Sequence, residues 1–305
     1  MGIRLSVLDT SPIVQGSTPR EALRNTADLA ELAEELGFHR YWVPEHHGMR
    51  GVASSAPAVL VGHLATLTSR LRVGSGGVLL PNHPPLVVAE QFGTLAALHP
   101  GRIDLGVGRA PGGAPHVVST LRRTDRPYRE QLEELQALLD PADTVAVPVQ
   151  GGNVPELWLL GSSPGTAELA AELGVPFAFA RHLSPDETCR ADLVSVSVIA
   201  AEDDARAEWL AGPIRAKVRS RREGNRILLP SPEDAHPGPD DGRVLVGGPE
   251  TITRRLRAVL DEMGTEELMI TSPIYHHADR RRSYELIAAI ADDLSSSAPS
   301  GTAEP

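Results

Sequence analysis

Short apolar runs alternate with amphipathic helical patterns along most of the chain. Eight of the apolar runs have the length and composition of buried strands. They cover residues 3–8, 40–43, 71–80, 103–107, 156–160, 176–180, 193–200 and 268–271. The segments between them predict helices. In residues 19–36, for example, Leu23, Ala27 and Ala30 recur at steps of three or four positions, and Gly37 follows as a stop.

Strands and helices that alternate about every 30 residues predict a parallel sheet with helical crossovers. Eight such units favour a closed (β/α)8 TIM barrel, an α/β fold that typically needs about 250 residues. An open doubly wound sheet is the alternative. At this length it would usually divide into two domains, and no linker is evident over roughly the first 200 residues. We therefore expect one barrel domain over residues 1–294.

Two segments do not follow the alternating pattern. Residues 223–243 are rich in proline and glycine and predict a long loop, of the kind that often forms an active-site lid. Residues 295–305 consist mainly of Ser, Ala, Pro and Gly, and they predict a disordered tail.

The composition narrows the classes of partner. The 305 residues carry a net charge of −11 without a block of basic side chains, which argues against nucleic acid and anionic membranes as partners. No run approaches the roughly 18 apolar residues of a membrane span, and no signal peptide is evident. Cys189 is the only cysteine, which excludes an internal disulfide and fits a cytoplasmic protein.

Groups that can move protons follow the second predicted strand directly. The apolar residues 41–43 run straight into Glu45, His46 and His47. Active sites of parallel α/β proteins are built at the carboxyl ends of strands, and imidazoles titrate near neutral pH. A pair of histidines in a surface loop is the alternative. We expect no metal site, because neighbouring histidines point apart and no third ligand has suitable spacing.

Two glycine-containing segments lie at other strand ends. Gly76 and Gly77 interrupt the third predicted strand, which indicates either a ligand plane lying against bare backbone, a strained peptide or a barrel bulge. Residues 161–166, Gly-Ser-Ser-Pro-Gly-Thr, precede a predicted helix and offer free amides and hydroxyls to a phosphate. An ordinary serine-capped helix is the alternative there. Arg109, after a neighbouring strand, would supply the counter-charge.

Three blocks resemble the bacterial-luciferase-like flavin-dependent oxidoreductases. They cover residues 41–113, 157–182 and, more weakly, 244–256. The Glu-His-His motif at 45–47 and the motif Pro-Gly-Arg-Ile-Asp-Leu-Gly-Val-Gly-Arg at 100–109 are specific in combination. The resemblance implies a (β/α)8 barrel, which agrees with the fold reached from the strand pattern.

The resemblance also implies a function. Members of the family bind reduced FMN, supplied by a separate flavin reductase, and many use O2 in peroxyflavin chemistry to oxygenate a small organic substrate. Some branches bind a reduced deazaflavin instead. We therefore expect a flavin-dependent monooxygenase, which we take to be a homodimer. A deazaflavin-dependent hydride transferase on the same barrel and a flavin-binding protein without turnover are the alternatives.

Individual residues receive roles from the same resemblance. His46 resembles the family's catalytic histidine, with Glu45 beside it as a second catalytic candidate. Gly76 and Gly77 resemble a pair joined by a non-prolyl cis peptide under the flavin ring. The phosphate contacts expected from the resemblance are Arg109, Ser162, Ser163 and Thr166. We place four further histidines in the substrate pocket: His47, His182, His276 and His277.

The chain departs from the family pattern in two places. The stretch between Phe179 and Leu193 is shorter than expected, and residues 223–243 are unlike the usual lid. Both border the substrate side, so the resemblance does not carry over a substrate class. The presence of His46, Arg109 and the phosphate loop together argues against a binding protein without turnover.

Overall fold

The computed structural model describes residues 2–142, 144–225 and 227–295. Within these residues, nine parallel strands form one sheet. They are β1 (Arg4–Leu8), β2 (Arg40–Val43), β3 (Arg72–Leu79), β4 (Ile103–Gly108), β5 (Glu156–Gly161), β6 (Phe177–Phe179), β7 (Leu193–Ala200), β8 (Val244–Gly247) and β9 (Glu267–Thr271). The predicted disordered tail lies outside the described residues, except for Ser295, which ends a helix.

The sheet closes on itself. β1 to β6 pair in sequence order, β6 pairs with β7, and β9 pairs with both β7 and β1. Eight strands, β1 to β7 and β9, therefore form a closed parallel barrel. The predicted (β/α)8 fold is confirmed.

The strand that the sequence did not predict is β8. It pairs with Ser197–Ala200 at the end of β7, beyond Val194–Ser197, where β9 pairs. β8 thus extends the sheet beside the carboxyl end of the barrel rather than closing it. It is only four residues long and follows the Pro- and Gly-rich loop, and its first two side chains are half-buried, so its hydrophobic pattern is weak.

Helices cover the outside of the barrel. They are α1 (Pro19–Glu35), α2 (Pro57–Leu67), α3 (Pro85–Leu98), α4 (Pro115–Val118), α5 (Tyr128–Leu138), α6 (Pro164–Leu173), α7 (Asp204–Arg222), α8 (Pro249–Met263), α9 (His277–Ala289) and α10 (Ala291–Ser295). The start of α1 shows why helices begin where they do: Thr18 accepts a bond from the Glu21 amide, and Glu21 accepts one from the Thr18 amide. None of the described helices is long and apolar enough to cross a bilayer.

Charged residues close the amino end of the barrel. Arg40 is buried and forms ion pairs with Asp104 at 3.0 Å and with Glu267 at 2.9 Å. Above this layer the interior is apolar, and Trp42 packs edge-on against Trp158 with 5.5 Å between ring centroids. Since these two layers fill the interior, the carboxyl end is where a ligand can approach the strand ends.

Asp9, directly after β1, is used to hold helices. Its buried carboxylate accepts bonds from Arg280 of α9 at 2.6 Å, Tyr41 of β2 at 2.6 Å and Thr26 of α1 at 2.7 Å. Burial alone would raise the pKa of Asp9, but Arg280 and these hydrogen bonds hold it below its usual value. The carboxylate is therefore a structural anion rather than a free group at the mouth.

The long loop after α7 is fastened to the mouth of the barrel. Leu229 is buried, and its carbonyl accepts a bond of 2.9 Å from the amide of Gln15, in the loop that follows β1. Val14 and Leu229 also form a parallel bridge. The described part of the predicted lid thus contacts the carboxyl-end loops, while residues 233–234, 236–237 and 239–240 are exposed.

Candidate active site

Glu45 lies at the centre of the loops that follow β2 and β3. Its carboxylate, 2% exposed, accepts bonds from His47 Nε2 at 2.7 Å, His83 Nε2 at 2.9 Å and the Leu79 amide at 3.0 Å. Burial raises the pKa of Glu45, but these three donors outweigh it and leave the pKa lowered. Glu45 is therefore a carboxylate at neutral pH whose oxygens are occupied in joining the two loops. None of its described hydrogen bonds goes to His46.

His46 and His47 point in different directions, as neighbours in an extended segment do. His47 binds Glu45, whereas His46 Nδ1 is buried and has no described hydrogen-bond partner. Burial lowers the pKa of His46 and the charge of His47 lowers it further, while Glu45 opposes both. His46 is thus a neutral imidazole with one ring nitrogen free for a bound molecule.

A second neutral imidazole, His182, faces His46. It follows β6, which lies opposite β2 in the eight-strand barrel. Burial lowers the pKa of His182 to about 4, and the neighbouring His46 lowers it too, while a hydrogen bond with the Ser195 backbone opposes them. His182 Nδ1 lies 2.7 Å from Ser195 Oγ. Ser195 was not among the predicted site residues, because it is one of two serines in an otherwise apolar strand, β7.

The Gly76–Gly77 peptide is cis, and the pairing of β3 with β4 shifts between Gly76 and Val78. The bulge that the sequence offered as one explanation is therefore present. A Cβ atom on Gly76 would lie 2.8 Å from Leu8 Cδ1, and one on Gly77 would lie 2.6 Å from the carbonyl oxygen of Gly106. Gly77 requires glycine because the backbone of β4 approaches too closely for a side chain, whereas a side chain at Gly76 would press on the side chains of Leu8 and Trp42.

The Gly161–Thr166 turn leads into α6 without a side-chain cap. Ser163 is the N-cap of α6, yet its hydroxyl makes no capping bond and lies 3.2 Å from Thr166 Oγ1. Ser162 and Ser163 are half-buried, and a Cβ on Gly165 would meet nothing within 4 Å. An ordinary serine-capped helix would use the Ser163 hydroxyl, so the geometry fits an anion-binding turn better.

Two residues that the sequence analysis missed lie near Arg109. Arg123 donates to the carbonyl oxygens of Arg109 and Ala110, and the buried hydroxyl of Tyr128 has no described partner. Burial raises the pKa of Tyr128, while Arg109 and Arg123 lower it. Both residues lie in the segment between β4 and β5, away from any predicted strand end, so only the folded chain brings them to Arg109.

The remaining candidate histidines lie apart from His46. His277 Nε2 bonds to Asp28 at 2.6 Å between α9 and α1, and Arg281 bonds to the same carboxylate oxygen. His276 is exposed and packs edge-on against Tyr275 at 4.8 Å. Within the part of the chain that the structure describes, no group of three His, Cys, Asp or Glu side chains is arranged to hold a metal ion.

The barrel carries two neighbouring imidazoles, those of His46 and His182, at its mouth, and its sequence matches one known family. The family model described as luciferase-like monooxygenase matches residues 3–223. The chain belongs to the luciferase-like monooxygenase family. It is therefore an oxidoreductase, and the family resemblance read from the sequence is confirmed.

Curated relatives in the luciferase-like family match nearly the whole chain. The uncharacterized protein YvbT of Bacillus subtilis (strain 168) is 44% identical over 94% of this chain and 96% of its own. A luciferase-like monooxygenase of Escherichia coli (strain K12) is 40% identical over 96% of this chain and 98% of its own. The N-acetyl-S-alkylcysteine monooxygenase of Bacillus subtilis (strain 168) is 32% identical over 94% and 97%.

Solved structures give the same fold. Apo-MsnO8 superposes with a TM-score of 0.88 and 38% identity, covering 97% of this chain and all of its own. The oxygenating constituent of 3,6-diketocamphane monooxygenase from Pseudomonas putida, in complex with FMN, superposes with a TM-score of 0.70 and 18% identity. The match covers 97% of this chain and 98% of that one. The coenzyme F420-dependent tetrahydromethanopterin reductase of Methanopyrus kandleri superposes with a TM-score of 0.66 and 15% identity. The match covers 97% of this chain and 99% of that one. At such low identity the last two show the fold alone.

Proposed function

We propose that this luciferase-like protein is a monooxygenase that uses reduced FMN and O2 to oxygenate a small organic substrate. The observation that carries the proposal is His46, a half-buried, neutral imidazole at the mouth of the barrel whose Nδ1 atom is buried and has no described partner. A buried polar atom without a partner is costly, so it fits a site that a bound molecule completes.

The residues present fit a flavin mononucleotide. The hydroxyls of Ser162, Ser163 and Thr166, at the start of α6, would hold its phosphate, with Arg109 as the counter-charge. The Gly76–Gly77 backbone, bare of side chains, would face its ring. Bound reduced FMN would supply the electrons that reduce O2.

The protein's own contribution is proton handling and exclusion of water. His46 is neutral near pH 7, so in this proposal its ring accepts or donates a proton at the reacting atoms. Glu45 acts as a positioning residue, since its carboxylate holds His47 and His83. We propose that His182 completes the opposite wall of the pocket.

The named activities of the relatives favour FMN over a deazaflavin as the cofactor. The relatives of 32% to 40% identity whose names state an activity are monooxygenases. The F420-dependent neighbours share only 14% to 15% of residues and support the fold alone. Hydride transfer from a reduced deazaflavin therefore stays the second candidate.

Anaerobic titration distinguishes the two cofactors, and a coupled assay tests the reaction. Reduced FMN should bind more tightly than reduced coenzyme F420. With FMN, NADH, a flavin reductase and 18O2, one labelled oxygen atom should appear in the product. The substrate panel includes N-acetyl-S-alkylcysteines, which one relative oxidises according to its name. Tighter F420 binding, with substrate reduction or oxidation that needs no O2, would replace this proposal by the second candidate.

A homodimer remains part of the proposal. The outer faces of the neighbouring helices α2 and α3 expose Val59, Leu67, Val87 and Leu98, and Val59 and Leu98 are 76% and 68% exposed. Apolar faces of this kind mark interfaces in soluble proteins. Light scattering should show a dimer that Val59→Asp weakens, whereas a monomeric native chain would contradict the proposal.

A further inference from the structure

Lys217 is the only lysine in the sequence, where the other basic residues are arginines. It lies in the second half of α7, whose first half packs on β7 and β8. Its Nζ reaches the loop that begins with His46 and His47: a Cβ on Gly51 would lie 3.6 Å from it. The same Cβ would lie 3.5 Å from Leu228 and 3.8 Å from the Ile13 carbonyl oxygen. The Lys217 ammonium group therefore lies beside Gly51, where this loop meets the segments of Ile13 and Leu228.

Among the described residues, no carboxylate neutralises the charge of Lys217. Within residues 2–142, 144–225 and 227–295, no carboxylate forms an ion pair with it. The neighbouring cations of α7 differ in this respect: Arg215 pairs with Glu208, and Arg222 pairs with Asp241. Lys217 is thus a half-buried cation that points to the barrel mouth without a counter-ion.

We propose that Lys217 binds the carboxylate of the substrate, so that this enzyme acts on a small organic acid. The proposal rests on the monooxygenase function proposed above, and it adds the class of substrate. The acid group lies at Lys217, between the loops after β1 and β2, and the reactive part of the molecule lies toward His46, at the start of the second loop.

The energetics support an anion at this place. Burial lowers the pKa of Lys217, and the nearby Arg221 lowers it further. A bound carboxylate neutralises the Lys217 cation and forms a charge-assisted hydrogen bond with it.

Because the chain has one lysine, its ammonium can be observed alone. Reductive methylation of the full flavin-free chain with 13C-formaldehyde labels Lys217 and the N-terminal amine and preserves their charge. Titration with N-acetyl-S-methylcysteine, octanoate and phenylacetate, each beside its uncharged amide, is followed by the methyl resonances. Lys217→Arg, which lacks the side-chain signal, assigns the spectrum.

We expect at least one acid to shift the Lys217 resonance saturably and to raise the pKa read from it, while its amide does neither. The N-terminal signal serves as the internal control for unspecific binding. If no acid of the panel shifts the Lys217 resonance, or if acids and amides shift it equally, the proposal is wrong.

Steady-state kinetics of Lys217 variants then distinguish an effect of the lysine charge from an effect of side-chain packing. Lys217→Met keeps most of the stem and removes the charge, so KM for the acid should rise by about tenfold or more while kcat changes little. KM for the amide should not change, and Lys217→Arg should lie closer to the native chain. A side chain that only packs against Gly51 and Leu228 would give Lys217→Met the native preference for acid over amide.

The two proposals fail in different experiments. Binding of an acid at Lys217 in the flavin-free chain, without oxygenation in the coupled assay, would leave the acid site intact and reject the monooxygenase function. Oxygenation of substrates with no preference for acids would support the monooxygenase function and reject the acid site at Lys217.

Discussion

His182 Nδ1 and Ser195 Oγ lie 2.7 Å apart, and the same hydroxyl lies 3.3 Å from the Phe179 carbonyl oxygen. A carbonyl oxygen only accepts, so the hydroxyl proton points to Phe179 and the ring nitrogen Nδ1 carries the proton shared with Ser195. The other nitrogen of His182, Nε2, is then an unprotonated acceptor. Ser195 therefore sets which ring nitrogen of His182 can receive a hydrogen bond.

We predict that in Ser195→Ala the His182 ring is no longer held in the tautomer with Nδ1 protonated. Coupled turnover should fall by about tenfold or more, the usual effect of losing the partner that orients a functional histidine. Binding of reduced FMN should change little. Nitrogen-15 NMR of labelled histidine should show His182 with Nδ1 protonated in the native chain and a tautomer mixture in Ser195→Ala. Ser195→Thr, which retains the hydroxyl, is the matched control. A native tautomer in Ser195→Ala would contradict the assignment.

The low pKa of His182 predicts how stability depends on pH. The folded chain resists protonation of His182 down to about pH 4, whereas the unfolded chain takes up this proton near its ordinary pKa of about 6.5. Between these values the unfolded state binds more protons. The contribution of His182 is therefore complete above about pH 6.5 and is lost as the pH falls toward about 4.

Urea unfolding between pH 4 and pH 7 measures this effect. In His182→Gln the loss of free energy of unfolding over this range should be smaller by about 1–3 kcal/mol, since one pKa unit corresponds to about 1.4 kcal/mol and the ring is partly exposed. Other groups, His46 among them, contribute in both proteins and cancel in the comparison. Equal slopes for the two proteins would show that His182 is not held neutral.

Much of this architecture could be predicted from the sequence, because periodic burial is a local signal. The strand–helix alternation identified the eight strands of the barrel and placed Glu45, His46 and the 161–166 turn at its carboxyl end. What could not be read depends on contacts between distant segments. Ser195 is one of two serines in β7, and in the sequence Lys217 is one of several cations on α7. The residues next to them come from segments that only the closed barrel brings together.

The two adjacent histidines should behave differently. His46 offers an unpaired buried nitrogen, whereas His47 is bound to Glu45. We predict that His46→Ala lowers coupled turnover by about 10²-fold or more, the range for a lost general acid–base, and leaves affinity for reduced FMN within a few-fold. His47→Ala should reduce turnover less and lower thermal stability more. Equal turnover in both variants would remove His46 from the catalytic role.

The proposed binding of a phosphate at the Gly161–Thr166 turn can be tested by adding a negative charge there. Ser163→Asp would place a carboxylate at the start of α6, facing the phosphate, so FMN binding should weaken by more than about tenfold. Riboflavin, which lacks the phosphate, should lose much less affinity. Ser163→Ala, which adds no charge, is the control and should have a smaller effect on FMN. Should FMN and riboflavin lose affinity equally in Ser163→Asp, the phosphate does not bind at this turn.

The loop after α7 contains two parts that should differ in function. Leu229 is buried and bridged to Val14 at the barrel mouth, whereas most of residues 233–240 are exposed. An enzyme that reduces O2 needs a dry site, because water access diverts the reaction to hydrogen peroxide. Only the part fastened to the mouth can provide this closure. We therefore predict that limited proteolysis cuts first within 233–240, and that flavin with substrate slows the cut.

Two variants separate these parts. Replacing residues 233–240 by a short Gly-Ser linker should preserve folding, FMN binding and the ratio of product to O2 consumed. Leu229→Ala should also fold and bind FMN, but it loosens the segment at Val14 and Gln15, so more of the consumed O2 should appear as hydrogen peroxide. The ratio of peroxide to product, measured at equal O2 consumption, decides the matter. If neither variant changes the ratio of peroxide to product, the segment is not a lid. If the linker variant alone raises that ratio, closure depends on the exposed residues rather than on the contact between Leu229 and the loop after β1.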